Sequence, residues 1–361
     1  MIQKEVIREI LLENRKEVEF QQIVPRNFQM EDFANYVLIG VRRAGKSFML
    51  YQQIQQNLKR GITWDSMLYI NFEDERLMGM TAQELNLILE VHGMMSKERP
   101  ILFLDEIQNI NGWEKFARRL ADNKYRVYIT GSNAKMLGSD VATTLGGRYI
   151  TKHIMPYSFP EFLQANEVSY DSNTLATTFG RAEVQRHFTN YFRFGGFPEG
   201  ARLASKRDYI NSVYQKIYLG DIASRNKIEN QFSLRVLFRK LAESVKQPIS
   251  FTRLTNIIAS TGAKLSKPTL INYLEYSKDA FLVYPIKNIA DNLTQRETNP
   301  KYYFVDNGII SILAMDVDTS LLENMVAMLV VLCLVVRRVI LFRMKPKPEI
   351  KPKDLLVLCV S

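Results

Sequence analysis

The chain has 361 residues, 46% of them hydrophobic and 24% charged, a balance that fits a globular protein with two or three cores and excludes a disordered or collagenous one. Its 48 basic and 38 acidic residues leave a net charge of +10, which taken whole invites nucleic acid or an acidic surface as partner. Half of that excess sits in residues 324–361, where seven basic side chains face two acidic ones, so the remainder is only mildly basic.

The first twenty residues alternate charged and apolar groups at helical spacing and lack the unbroken apolar core of a signal peptide. Residues 36–39 (Tyr-Val-Leu-Ile) read as a short buried strand that ends at Gly40, and a helical pattern follows from about 46 to 58. A second strand, 67–72, leads to a helix over roughly 81–95, where Thr81 and Glu84 suggest a capping box. Residues 101–104 and 127–130 are a third and a fourth buried strand, and a last one is expected near 149–154. Strands alternating with helices imply a largely parallel α/β sheet covered on both faces.

From about 159 to 225 the pattern is helical, broken midway by Phe194-Gly195-Gly196-Phe197-Pro198. Residues 233–283 look like a smaller unit: a helix over about 234–245, another from Ser250, a third from Ser266, and a strand over 280–284. Three helices and then a strand is the order of a winged helix-turn-helix. Within it, Arg253, Lys264, Lys267 and Lys278 suit a phosphate backbone, although winged helices also dock proteins; DNA and a protein client both stay open as partners. The longest apolar run, 326–336, is about half of what a membrane span needs, so no membrane partner is expected. The two cysteines, Cys333 and Cys359, offer no disulfide framework, which fits a reducing, cytoplasmic setting. His92, His153 and His187 are scattered, with no zinc spacing and no basis for a Ser-His-Asp or Cys-His arrangement.

Two motifs carry the chemistry. Gly40-Val41-Arg42-Arg43-Ala44-Gly45-Lys46-Ser47 fits G-x-x-x-x-G-K-[ST] between a β-branched strand and the helix that begins around Phe48. The glycines let backbone N–H groups converge on phosphates, the helix N-terminus adds a favourable partial charge, Lys46 reaches the β- and γ-phosphates, and the Ser47 hydroxyl meets Mg²⁺. About sixty residues on, the apolar run 101–104 ends in Asp105-Glu106. Asp105 suits the acid that holds hydrated Mg²⁺, and Glu106 the group that orients or deprotonates the attacking water. In Thr130-Gly131-Ser132-Asn133, Thr130 or else Asn133 is a candidate for contact with the γ-phosphate or that water. Arg148 is a candidate arginine acting in trans on a neighbouring copy of a homo-oligomer, with an intradomain ion pair as the alternative; Arg225 is a weaker one. Arg42 and Arg43 either contact nucleotide or brace the loop.

With Tyr69-Ile70-Asn71-Phe72-Glu73-Asp74, Asp105-Glu106-Ile107-Gln108, Gly147-Arg148, Gly195-Gly196-Phe197-Pro198, Tyr302-Tyr303-Phe304-Val305-Asp306-Asn307-Gly308 and Leu321-Leu322-Glu323-Asn324, the chain resembles a prokaryotic AAA-like P-loop ATPase family over residues 20–327. Its members carry an ATPase core, a helical and winged-helix section and a C-terminal restriction-endonuclease-like domain. The resemblance implies an AAA-type sheet in which the polar residue after strand four lies between phosphate loop and acid. The expected organisation is an ATPase core with an N-terminal helix over 1–157, a helical lid over 158–230, and a winged-helix-like domain over 231–290. The start of an endonuclease-like domain follows over 291–327, then a degenerate or divergent tail over 328–361. Glu349-Ile350-Lys351 imitates a nuclease Glu-x-Lys, but no upstream acidic strand accompanies it. The expected function is Mg²⁺-dependent binding and hydrolysis of ATP that changes the shape of an assembly. A slow nucleotide-gated switch and a DNA-binding regulatory module are the alternatives.

Overall fold

The computed structural model describes residues 2–133, 136, 143–288, 292–315 and 318–337, the last seven of these as backbone alone. Two compact units emerge, one of residues 1–40 and 45–154, the other of 41–44 and 155–361. Among the described residues no helix is long and apolar enough to cross a membrane.

The first unit is built on five parallel strands: β1 (Asn35–Ile39), β2 (Met67–Asn71), β3 (Ile101–Asp105), β4 (Val127–Gly131) and β5 (Tyr149–His153), in the spatial order β2-β3-β4-β1-β5. The central strands are largely apolar, with polar residues only near their ends, because helices cover both faces of a parallel sheet. In-register neighbours in such a sheet share a face. Tyr36, Tyr128 and Phe103 are therefore aligned across β1, β4 and β3, and their rings stack at 6.0 and 4.9 Å between centroids. That row pins the order and the register of the three strands that carry the motifs.

Around the sheet lie α1 (Lys4–Phe20), α2 (Lys46–Lys59), α3 (Asn86–Met95) and α4 (Trp113–Asp122). α1 buries Ile7, Ile10, Leu11, Asn14 and Val18, a stripe at three- and four-residue spacing. α3 begins at Asn86 rather than at Thr81. The Glu84 carboxylate does accept from the Thr81 N–H and hydroxyl, both at 2.9 Å, but these bonds close a turn that precedes the helix.

The second unit contains α5 (Phe159–Ala165), α6 (Ser172–Ala176), α7 (Thr178–Phe194) and α8 (Lys206–Gln215), the last running on into a π-helical segment, Lys216–Ser224. Then come α9 (Gln231–Glu243), α10 (Phe251–Ser260), α11 (Lys267–Asp279), β6 (Val283–Ile286), α12 (Leu293–Thr298), β7 (Lys301–Phe304), α13 (Asn307–Leu313) and α14 (Asp318–Arg337). Ser250 and Ser266 cap α10 and α11, accepting from the N–H groups of Arg253 and Thr269. The strand expected over 280–284 starts later, at Val283: Ala280 still caps α11, and Phe281 turns the chain through a left-handed φ of 55°. β6 pairs antiparallel with β7.

The other family-type motifs of the sequence meet inside this unit. The buried Asp306 carboxylate caps α13 by accepting from Gly308 N–H at 2.8 Å and also accepts from Gly196 N–H at 2.7 Å; burial pushes its pKa up to about 6. Asn324 flanks β7 as a strand neighbour would, accepting from Phe304 N–H at 2.7 Å and donating to its carbonyl at 2.9 Å. Asn307 donates to the carbonyls of Phe192 and Leu321. The segment 291–327, expected to open an endonuclease-like domain, thus supplies α12, β7, α13 and the first half of α14. Of the expected tail, residues 338–361, including the Glu349-Ile350-Lys351 string, lie outside the described residues.

Gly195 sits at φ 71°, and a Cβ there would run into the Asp306 carboxylate. Gly195→Ala is expected to cost about 2–4 kcal/mol through backbone strain and the loss of this capping bond, read as a lowered urea midpoint with an unchanged m-value.

Candidate functional site

The carboxyl ends of β1, β3 and β4 are where an open parallel sheet places its ligands, and both sequence motifs fall there. β1 ends at Ile39 and gives way to the loop 40–47, which leads straight into α2. Gly40 lies at φ 151°, and any Cβ on it would strike the carbonyl of Ile154, the residue whose N–H bonds Ile39 at 2.7 Å. Gly45 caps α2 in the left-handed region. Val41 and Ala44 are buried, Lys46 is 4% exposed, and Phe48 packs tilted against Tyr51. The Lys46 ammonium donates to the Gly40 carbonyl at 3.3 Å and stands 3.6 Å from the Glu106 carboxylate. A positive charge is thus held over the mouth of the loop and paired with the second acid of the other motif.

β4 lies between β1 and β3. Leu104 is in register with Ile129, so the next pair along, Asp105 and Thr130, points to one face. The Thr130 hydroxyl donates to Asp105 Oδ1 and accepts from the Glu106 N–H at 2.9 Å. Tyr69, on β2 and in register with Phe103, reaches the other carboxylate oxygen, donating to Asp105 Oδ2 at 2.8 Å, and its own hydroxyl lies 3.2 Å from that of Tyr51. The Ser47 hydroxyl also hydrogen-bonds Asp105. Burial, and then the neighbouring Glu106, raise the Asp105 pKa, while these hydroxyls pull it back down. Burial and the Asp105 charge hold the Tyr69 phenol protonated, well above its usual range, so it stays a donor. Glu106 has a left-handed backbone, φ 51° and ψ 39°, and accepts from the Gln108 side-chain amide, which also approaches the Ser132 hydroxyl at 3.5 Å.

Lys46, Ser47, Asp105, Glu106 and Thr130 are therefore brought together. The register turns the Thr130 hydroxyl inward onto the two acids, and it is fully buried. Asn133, two residues past the end of β4, is also buried. Arg148 is at the opposite, amino-terminal end of the strands. It precedes β5, whose first residue pairs with Asn35 at the start of β1, and its guanidinium is bound to Asp122 and to the carbonyls of Leu145 and Gly146. Within its own chain it does not approach the phosphate loop, because parallel strands put their two ends about 16 Å apart over five residues. The intradomain ion pair, the alternative weighed for it, is present. Arg42, Arg43 and Arg225 belong to the second unit. Arg42 and Arg225 both pair with Asp221, and Arg43 pairs with Glu199 at 2.7 Å.

Tyr69 and Gln108 are the residues that sequence reasoning missed. Each stood inside a quoted motif, and the signal was positional. Tyr69 lies on the strand next to the acid and on the same face, and Gln108 is two residues beyond the acid it holds.

Residues 32–163 match the AAA domain family, and residues 185–320 match a domain of unknown function. An uncharacterised protein of Methanocaldococcus jannaschii is 32% identical over 312 residues, 85% of this chain and 69% of that one. An uncharacterised protein of Haemophilus influenzae is 33% identical over 295 residues, 80% of this chain and 70% of that one. Among solved structures, the Walker-type ATPase of Pyrococcus abyssi superimposes with a TM-score of 0.50 at 13% identity, covering 87% of this chain and 96% of its own; at that identity the likeness is one of fold.

Thr130→Val keeps the shape of the side chain but leaves the Glu106 N–H and one Asp105 oxygen without their partner. A buried donor left unsatisfied costs about 1–3 kcal/mol, so urea denaturation should register a loss of that size.

Proposed function

We propose that this chain, which belongs to the family of those two relatives and matches the AAA domain family over residues 32–163, binds ATP with Mg²⁺ at the loop 40–47 and hydrolyses the γ-phosphate. The observation that carries the reading is the meeting of Lys46, Ser47, Asp105 and Glu106 at the carboxyl ends of β1 and β3.

The residues fit the ion that ATP brings. Mg²⁺ takes one or two protein oxygens and keeps water and phosphate oxygens for its remaining positions. Ser47 and Asp105 supply that donor set, a hydroxyl on a carboxylate that is buried without a cation paired to it among the described residues. When bound, the ion neutralises charge on the β- and γ-phosphates. Lys46 leaves the Gly40 carbonyl and Glu106 to take the same phosphates, so its ammonium exchanges one anionic partner for another. Glu106 is then released to orient the attacking water and accept its proton, while Gln108 keeps the carboxylate aimed. Thr130 and Tyr69 fix Asp105 from two sides and do not touch substrate.

A second reading is favoured by a separate observation. Arg253, Lys264 and Lys267 are exposed on and between α10 and α11, the helices of the proposed winged-helix section, whereas Lys278 is paired with Glu275 at 3.0 Å. A DNA backbone contact there would show as salt-dependent retention lost in the triple alanine variant; no retention at low salt removes it.

Lys46→Ala should abolish Mg·ATP binding measured by calorimetry. Glu106→Gln should keep binding while lowering turnover by about 10²–10⁴-fold, the range for loss of a general base. Tight binding with negligible wild-type turnover would instead mark a slow nucleotide-gated switch. Tyr69→Phe should raise the Mg²⁺ concentration needed for half-maximal turnover several-fold while ATP binding without metal stays as in the wild type.

A further inference from the structure

The middle of the phosphate loop is not part of the unit that carries its two ends: residues 41–44 belong with 155–361, and residues 40 and 45–47 with the sheet. Within that unit Arg42 and Asp221 form a fork. Arg42 donates through Nε to Asp221 Oδ2 at 2.9 Å and through Nη2 to Oδ1 at 3.2 Å. The Asp221 side chain is 3% exposed and that of Arg42 18% exposed, so the pair is shielded from solvent and its planar geometry gives directional hold. Arg225, one turn further along, approaches the same carboxylate at 3.5 Å, and its Nη1 is buried with no hydrogen-bond partner among the described residues. The neighbouring pair, Arg43 with Glu199, has both side chains about half exposed, where solvent screening leaves little energy. Arg43 nevertheless has a left-handed φ of 65°, so the backbone just after the fork is in a conformation that needs external support.

Asp221 lies within the nine-residue π-helical segment Lys216–Ser224. π-Helical turns have a weaker hydrogen-bond pattern than α-helix and recur at functional positions. A buried carboxylate on such a segment, bonded to the third residue of a phosphate loop, has no part in the chemistry at Lys46, Asp105 and Glu106.

We propose that Asp221 is a positioning residue of the phosphate loop: through Arg42 it sets the loop backbone for phosphate and couples nucleotide binding to the π-helical segment. The inference rests on the reading that the loop binds Mg·ATP. If the fork pre-forms the loop, binding is stronger with the fork than without it, and by linkage nucleotide must stabilise residues 216–225 to the same extent. Arg42 is thereby a brace, its guanidinium committed to a protein carboxylate and not to phosphate.

The test uses the full chain with Arg42→Lys, Asp221→Asn and the double variant, the lysine keeping charge while losing the fork. Mg·ATP affinity is measured by calorimetry, and hydrogen exchange over 216–225 is followed with and without Mg·ATP in the Glu106→Gln background. Each single variant should bind roughly five- to tenfold more weakly, in the usual range for coupling between sites, and the double variant should be no weaker than the weaker single. Nucleotide should slow exchange over 216–225 in the parent and not in the variants. Additive losses, or parental exchange over 216–225 that ignores saturating nucleotide, overturn the proposal; the second arm decides the matter even if a variant does not fold. Failure of the parent to bind Mg·ATP overturns the nucleotide reading itself and this inference with it. Binding without an exchange response overturns this inference alone.

Discussion

Asp105 is an ionisable group walled into the end of a sheet and held, among the described residues, by hydroxyls: Thr130 on one oxygen, Tyr69 on the other, and Ser47 as well. Withdrawing a carboxylate from water costs several kcal/mol even after relaxation, and neutral donors offset only part of that. The carboxylate stays because the stacked Tyr36, Tyr128 and Phe103 lock the register of β1, β4 and β3. A slip of one residue would turn Thr130 and Asp105 to opposite faces and leave the acid with no donor from β4. The aromatic core in the middle of the sheet and the polar cluster at its end are therefore one construction.

One hydroxyl does two jobs in this construction. Thr130 donates to Asp105 and accepts from the Glu106 N–H, so the same side chain positions both acids. That matters most for Glu106, whose left-handed backbone is one that a residue with a Cβ adopts at a cost of roughly 1–2 kcal/mol. Its N–H bond to Thr130 holds the residue in that conformation, and the conformation turns the side chain towards Lys46 and Gln108. A valine at 130 would preserve the packing and lose both functions.

Much of the first unit was legible from sequence, for physical reasons. Strands buried on both faces leave no alternation to misread, so 36–39, 101–104 and 127–130 stood out as apolar runs, and the glycines and lysine of the loop have few other uses between a strand and a helix. What was not legible depended on pairing. The direction of Thr130 follows from its register with β3, which no local pattern records. Arg148 was adjacent to a strand, but only the parallel pairing of β5 with β1 shows that it lies at the end of the sheet away from the loop. Tyr69 looked like core because a phenol in an apolar run contributes mostly ring. The Arg42–Asp221 fork joins residues 179 apart in sequence, and neither partner carries a periodic or motif signal for the other. The errors in element ends have local causes: a carboxylate-closed turn before α3 and a left-handed Phe281 before β6.

The motifs later in the chain show how readily a recurrent polar string can be taken for a site. Gly195-Gly196, Asp306-Asn307-Gly308 and Glu323-Asn324 converge, and among the described residues their side chains bond backbone groups, one another, or Lys301 and Tyr303. Asp306 takes two N–H groups, Asn307 bonds two carbonyls, Asn324 completes the edge of β7, and Glu323 takes Lys301 and Tyr303. Burial raises the Asp306 pKa towards 6, a shift that in isolation would resemble that of a catalytic acid. Its neighbours argue for architecture: a carboxylate that caps one helix while fixing the glycine turn after another is doing the work of a short loop that has no core of its own. Asp105 differs in one respect that separates the two cases. It stands at the carboxyl end of the sheet beside an ammonium and a second acid, whereas Asp306, which with Gly195 and Asn324 lines a cavity of the second unit, takes a backbone N–H on each oxygen.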